Sequence, residues 1–257
     1  PDGDRIAFVG NYEGDTDLYV IDVEGGIAHR VTHHPANEVL QQWTDDDVLL
    51  FASSAEGAPR NNLQLYTVSP EGGLPEKLPV EYGAMAAIDD AGRNLAFTPW
   101  TRDHRTWKRY RGGMSTDLWL FDLETFESER LTDWEGTDTQ PMWYDGVIYY
   151  LSDQGPEHRW NLWRIDPENG TPEQVTRFED FDVKAPSMGP GPDGDGEIVF
   201  QMGSGIHLLD LASGEVTELQ ITVPGERPDL RPERVDVSDD IMNWNVSSTG
   251  KRALVEM

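Results

Sequence analysis

Five times along this chain an aliphatic residue is followed 13 positions later by a second apolar residue: Leu18 and Val31, Leu65 and Leu78, Leu118 and Leu131, Leu162 and Val175, Ile206 and Leu219. A spacing kept so strictly marks a repeated unit, and a repeat constrains the fold more than local propensity does. The first member of each pair sits in a strand-like stretch: Asp17-Leu18-Tyr19-Val20, Leu65-Tyr66-Thr67-Val68, Asp117-Leu118-Trp119-Leu120, Asn161-Leu162-Trp163-Arg164 and Gly205-Ile206-His207-Leu208. The second member lies in a following strand, as in Arg30-Val31-Thr32 and Arg130-Leu131-Thr132. Ahead of each pair runs an apolar strand: Ile6-Ala7-Phe8-Val9, Leu49-Leu50-Phe51-Ala52, Leu95-Ala96-Phe97-Thr98, Ile148-Tyr149-Tyr150-Leu151 and Ile198-Val199-Phe200-Gln201. A further strand, ending in a polar turn such as Trp143-Tyr144-Asp145-Gly146, precedes that one. Gly-Gly and Asn-Gly pairs at Gly25-Gly26, Gly72-Gly73 and Asn169-Gly170 suit tight hairpins. No helical period is sustained anywhere.

Four antiparallel strands recurring every 44 to 53 residues describe the blades of a propeller. A lone four-stranded sheet leaves apolar faces wet, whereas radial neighbours cover both. The expectation is an all-β fold, a β-propeller of four-stranded antiparallel blades, with five blade repeats present of an expected six. Residues 1–238 form this propeller, its first repeat short of one strand because Pro1-Asp2-Gly3-Asp4 already reads as a hairpin turn. The natural N-terminus is therefore expected to lie upstream. Residues 239–257, with Trp244-Asn245-Val246, Thr249-Gly250 and Ala253-Leu254-Val255, read as the opening strands of a following propeller or as a ring-closing tail.

Charge narrows the partners. With 48 carboxylates against 20 lysines and arginines, the net charge of −28 argues against a nucleic-acid backbone, which needs a basic surface. Acidity of this size serves solubility or life at high salt, where screening blunts self-repulsion. Cysteine is absent, which excludes disulfides and thiolate metal sites. No run approaches the roughly 20 apolar residues of a membrane-spanning helix.

The wording of the repeats resembles TolB-like propellers, as in Pro1-Asp2-Gly3-Asp4-Arg5-Ile6-Ala7-Phe8-Val9 followed by Asp17-Leu18-Tyr19-Val20 and Arg30-Val31-Thr32. More specifically, Arg105-Thr106-Trp107-Lys108-Arg109-Tyr110-Arg111-Gly112-Gly113 resembles the long blade insertion of the tricorn protease family. Gly136-Thr137-Asp138-Thr139-Gln140-Pro141-Met142-Trp143, Phe181-Asp182-Val183-Lys184, Arg227-Pro228-Asp229-Leu230-Arg231-Pro232 and Thr249-Gly250-Lys251-Arg252-Ala253-Leu254 resemble that family in the same order. The resemblance implies a large cytoplasmic serine protease assembled as a homo-hexamer. In it a six-bladed propeller precedes a seven-bladed one, a PDZ-like domain and the catalytic domains. Peptides and the downstream protease domains are then the partners. The family's catalytic serine, histidine and acidic partner lie in the later domains, so no catalytic, cofactor or metal residue is carried onto this chain.

Local chemistry agrees with a non-catalytic part. Gly203-Ser204-Gly205 lacks the spacing of a nucleophile elbow and reads as a turn. His33-His34 offers too few ligands for a metal, and Asp45-Asp46-Asp47 and Asp193-Gly194-Asp195-Gly196-Glu197 fall where hairpin turns belong. The exception is the third repeat, where Phe97 and Leu118 stand 21 residues apart against 10 for Phe8 and Leu18. That insertion carries Arg105, Trp107, Lys108, Arg109, Tyr110 and Arg111, a basic aromatic loop on an acidic chain. One reading is structural, with arginines stacked on Trp and paired with acids to stitch the loop down or to meet the next domain. The other is functional, with cations attracting peptide carboxylates. Two rivals to a protease accessory domain stay open: a TolB-like protein-binding module, and a propeller enzyme with loops over its central pocket.

Overall fold

A computed structural model describes every residue except 1–2, 13, 57–61, 105–107, 223, 226–231, 233, 235 and 257. The described part of the chain is all-β and divides into two compact units, Pro1–Leu219 and Gln220–Met257.

The first unit holds five antiparallel sheets in sequence order. The first has three strands, β1 (Arg5–Gly10), β2 (Asp17–Asp22) and β3 (His29–Arg30). The second has four, β4 (Glu38–Trp43), β5 (Leu49–Ser53), β6 (Gln64–Val68) and β7 (Glu76–Lys77). The third comprises β8 (Met85–Ile88), β9 (Asn94–Thr98), β10 (Trp119–Asp122) and β11 (Ser128–Arg130). The fourth comprises β12 (Asp138–Tyr144), β13 (Val147–Ser152), β14 (Asn161–Ile165) and β15 (Glu173–Gln174). The fifth comprises β16 (Val183–Gly189), β17 (Glu197–Met202), β18 (Gly205–Asp210) and β19 (Val216–Leu219). Opening strands meet in order, β1 with β4, β4 with β8, β8 with β12 and β12 with β16, so the sheets are successive blades of a propeller.

The 13-residue spacing has a hydrogen-bond origin. In four of the five pairs the carbonyl of the leading residue accepts the N–H of the residue 13 positions on: Val31 to Leu18 at 2.8 Å, Leu78 to Leu65 at 2.9 Å, Leu131 to Leu118 at 2.8 Å and Val175 to Leu162 at 2.9 Å. In the fifth, Ile206 and Leu219 face each other in the β18–β19 ladder. In three blades the next residue is a threonine that closes the same ring from the other side. The N–H groups of Leu18, Leu118 and Leu162 donate to the hydroxyls of Thr32, Thr132 and Thr176 at 2.9, 3.0 and 2.9 Å. These bonds take over where the short outer strands end.

The core is four clusters, one at each junction between neighbouring blades. Leu18, Val20 and Val31 meet Leu49, Phe51 and Tyr66, while Leu50 and Leu65 meet Ala86, Leu95 and Phe97. Ala96 and Leu118 meet Ile148 and Tyr150, and Leu151 and Leu162 meet Ile198 and Phe200. The two end faces break this rule. Leu49, Leu95, Ile148 and Ile198 are 0% exposed, but Ile6, their counterpart in the first blade, is 49% exposed. Likewise Leu18, Leu65, Leu118 and Leu162 are 0% exposed, against 39% for Ile206 in the fifth blade.

The second unit contains one hairpin, β20 (Asn243–Val246) paired with β21 (Ala253–Glu256), all eight residues exposed. Its turn repeats the β8–β9 turn bond for bond. Ser247 N–H donates to Arg252 C=O at 2.9 Å and Gly250 N–H to Ser247 C=O at 2.8 Å. In the third blade Asp89 N–H donates to Asn94 C=O and Gly92 N–H to Asp89 C=O, both at 2.9 Å.

Candidate functional site: a basic strap over acidic corners

Strand direction alternates within a blade, so the loop between second and third strands and the crossover to the next blade share one end. The insertion of the third blade, between β9 and β10, lies at this crossover end. It is tied down residue by residue. Asp103 accepts hydrogen bonds from Thr139 Oγ1 at 3.0 Å and Gln140 Nε2 at 2.7 Å, both at the start of β12. A bulge lies there, with Gln140 at φ 52°, and it turns that amide toward the loop. Burial raises the Asp103 pKa, and the bonds from Gln140, Thr139 and Thr101 pull it back.

Arg111 forms the second tie. Its Nη1 donates to Asp153 Oδ2 at 2.8 Å, its Nε stands 3.7 Å from Glu135, and its guanidinium lies 4.9 Å from the Trp134 ring centroid. Asp153 is buried and also accepts Trp134 Nε1 at 2.8 Å and Thr137 N at 3.0 Å. Gly136 is required beside this hub, because a Cβ there would overlap Asp153, Trp134 and Arg111. The third tie is the ion pair of Lys108 with Asp182, the residue before β16. One loop from the third blade thus grips the fourth at two points and the fifth at one.

Of the predicted loop residues, Lys108 and Arg111 serve as anchors. Tyr110 is half-buried, and its carbonyl accepts Ser115 Oγ at 3.5 Å. Arg109 is exposed, held at φ 56°, and has no carboxylate partner among the described residues. Arg105 and Trp107 lie outside the described residues, as does most of Arg227–Pro232. His33 and His34 sit in a loop, where His34 Nδ1 accepts Ala36 N–H at 3.0 Å, and Gly203-Ser204 is the β17–β18 turn. Among the described residues no three His, Cys, Asp or Glu side chains converge as a metal-binding group.

The crossover end also carries two buried acidic corners that sequence reading passed over. At the first, Arg30 pairs with Asp17 at 2.7 Å while Thr32 Oγ1 donates to Glu38, which opens β4. Burial, with Asp17 adding to it, raises the Glu38 pKa to about 7. At the second, Arg130 pairs with Asp117 at 2.9 Å and Asp138 opens β12; burial raises its pKa to about 7 as well. At the fourth-to-fifth crossover the same positions hold Asn161 and Val183, and Asn161 Oδ1 accepts Thr176 Oγ1 at 3.0 Å and Phe178 N at 2.8 Å. A signal was present, since the three capping threonines stand one residue after the apolar member of the repeat.

Comparison with known proteins follows the same lines. Residues 1–215 match the family model described as the tricorn protease N-terminal beta propeller domain. A tricorn protease homolog of Saccharolobus solfataricus is 28% identical over 263 residues, covering 99% of this chain and 23% of the relative. Tricorn protease homolog 1 of Streptomyces coelicolor is 27% identical over 241 residues, covering 93% and 22%. Among solved structures, the tricorn protease superposes with a TM-score of 0.70 at 19% identity, covering 88% of this chain and 22% of that one. TolB from Acinetobacter baumannii gives 0.64 at 20% identity, covering 86% and 54%. This chain therefore spans less than a quarter of the length of the curated relatives it matches.

Proposed function

The chain belongs to the family of tricorn protease N-terminal β-propeller domains, and from that premise we propose that it is the non-catalytic propeller of a tricorn-like serine protease. It steers or gates peptides to or from a proteolytic chamber and supports assembly, while hydrolysis takes place in downstream domains. The protease is cytoplasmic and homo-oligomeric, a hexamer by family likeness. The first unit contributes five blades of a six-bladed ring, and the β20–β21 hairpin opens the next unit. Two observations support that division: apolar residues wait on both end faces, and the hairpin reproduces the β8–β9 turn.

The observation that carries the steering role is Arg109. Its neighbours Lys108 and Arg111 are consumed by ion pairs, which leaves this cation facing solvent on an otherwise acidic molecule. A fixed positive charge at a passage attracts anionic ends of peptides and speeds encounter, an effect that salt erases. Arg109→Glu in the intact protein is the test. The expected result is a fall of about tenfold in kcat/KM for peptides at low salt, shrinking as salt rises, with the oligomer unchanged. Equal turnover by the variant and the wild type at low salt would remove the steering role.

A second reading, a protein-binding module, has one observation in its favour. Ile27 and Leu74 stand 99% and 93% exposed at equivalent hairpin tips of the first two blades, and Phe126 is exposed at the matching tip of the third. Substituting all three with serine weakens assembly or partner capture if this rim is used, and leaves peptide steering intact.

A further inference from the structure

One residue after the leading aliphatic, the first four blades place a large aromatic side chain: Tyr19, Tyr66, Trp119 and Trp163. Each faces a ring on the strand before it, namely Phe8, Phe51, Phe97 and Tyr150. Opposite that aromatic, on the outer strand, stands a donor that reaches a carboxylate. Arg30 pairs with Asp17 at 2.7 Å, Lys77 with Glu56 at 3.3 Å and Arg130 with Asp117 at 2.9 Å. In the fourth blade Gln174 Nε2 donates to Glu157 at 3.0 Å.

The fifth blade inverts this arrangement. His207 takes the aromatic place and still stacks on Phe200, with ring centroids 5.5 Å apart and planes at 16°. Opposite it the outer strand carries Glu218, an acid where the other blades carry a donor. Gly205 stands where Asp17 and Asp117 stand in the first and third blades. A Cβ on Gly205 would lie 2.9 Å from Glu218 Oε1 and 3.0 Å from His207 Cε1. The place filled by an aspartate–arginine pair elsewhere is thus part of a cavity of about 270 Å³. Phe178, Phe181, His207 and Glu218 line it, and Glu179 and Asp180 add two further carboxylates.

The protein leaves this cavity without a counter-ion. Among the described residues, Glu218, Glu179 and Asp180 form no ion pair, and Arg159 donates to the Glu179 carbonyl, at 3.1 Å, instead of a carboxylate. His207 is 8% exposed and its Nδ1 has no hydrogen-bond partner, so the imidazole is not tied up from within. Three carboxylates ask for positive charge, and two phenyl rings beside them ask for a flat, weakly hydrated cation. Guanidinium answers both. The chain already uses arginine in this way: Arg5 and Arg111 each lie 4.9 Å from a tryptophan ring centroid while paired with aspartate.

We propose that the cavity of the fifth blade receives an arginine side chain of a bound peptide, which supplies from outside the cation that this blade's outer strand lacks. The occupant is a peptide because the cavity holds a single side chain, whereas a stable contact between folded chains buries far more surface. The site is independent of the steering role of Arg109.

The probe is acetyl-arginine-amide, whose only charge is the guanidinium, used on the intact protein with acetyl-citrulline-amide as its neutral isostere. Soaked crystals are expected to show the arginine compound in the cavity, with its guanidinium on Glu218, and to show nothing there for citrulline. In solution, hydrogen exchange in residues 203–218 is expected to slow about tenfold at roughly ten times the Kd. Glu218→Gln, at an exposed position, should raise that Kd at least about tenfold. Gly205→Asp combined with Glu218→Arg rebuilds the pair of the first and third blades and should abolish the response. Equal responses to arginine and citrulline, or an unchanged Kd in Glu218→Gln, would overturn the site. Density without any effect on exchange would mean binding at crystal concentration only and would overturn it as well. A changed oligomer mass in the double variant would assign the cavity to a neighbouring copy and overturn the peptide. Should the double variant fail to fold, the soak and Glu218→Gln still decide.

Discussion

At the scale of single residues, the repeat is a hydrogen-bonding device before it is a packing device. Thr176 shows its worth: the hydroxyl accepts Leu162 N–H and donates to Asn161 Oδ1, both buried. Thr176→Val keeps the shape and strands those partners, so it should cost about 1–3 kcal/mol of stability in denaturant unfolding. The second blade, with Pro79 at the equivalent position, manages without this cap, so the cost is local to blades built around it. Glu38 gives a pH signature. Its folded pKa is raised from 4.5 to about 7, so the native state holds a proton the unfolded chain releases. Stability from this group is therefore complete below pH 4.5 and declines as pH rises to about 7, by at most on the order of 3 kcal/mol. Glu38→Gln should flatten that stretch of the stability–pH curve and make the protein more stable at pH 8. An unchanged curve would show that Glu38 is ionised throughout.

At the scale of elements, the insertion behaves as a strap across three blades. Arg111→Ala removes the counter-ion and the Trp134 stacking partner from a buried Asp153, and should cost about 3 kcal/mol. Limited proteolysis between residues 99 and 115 should then become rapid. Arg111→Lys restores the charge without the planar stack and should rescue only part of the loss. Lys108→Ala releases a tie on a largely exposed side chain and should cost less than about 1 kcal/mol. The blades and their hairpins were legible in the sequence because 13-residue rings, turn glycines and alternating aromatics are all encoded within one repeat. The strap's existence was legible as a length anomaly and a cluster of basic residues. Its partners were not: Asp153 and Asp182 lie 42 and 74 residues from their cations, among 48 carboxylates of similar appearance. Glu38 and Asp138 were hidden for a different reason: their polar neighbours are close in sequence, as Thr32 is to Glu38, but their carboxyls become special only when the packed blades bury them.

At the scale of the molecule, the propeller is a stack in which every interior sheet covers its neighbours, and the first and fifth sheets each keep one apolar face uncovered within the unit. Burying an isoleucine side chain is worth about 1.5–3 kcal/mol, so faces like these are stable in water only when something lies on them. We propose that one further sheet completes the ring between them in the intact protein. Because this chain has no cysteine, introduced thiols report on that cover directly. Single variants Ile6→Cys and Ile206→Cys in the intact protein should react with a thiol reagent at least about tenfold more slowly than Ile27→Cys at an open hairpin tip, since reaction needs local opening. Labelling at all three positions at the same rate would contradict it.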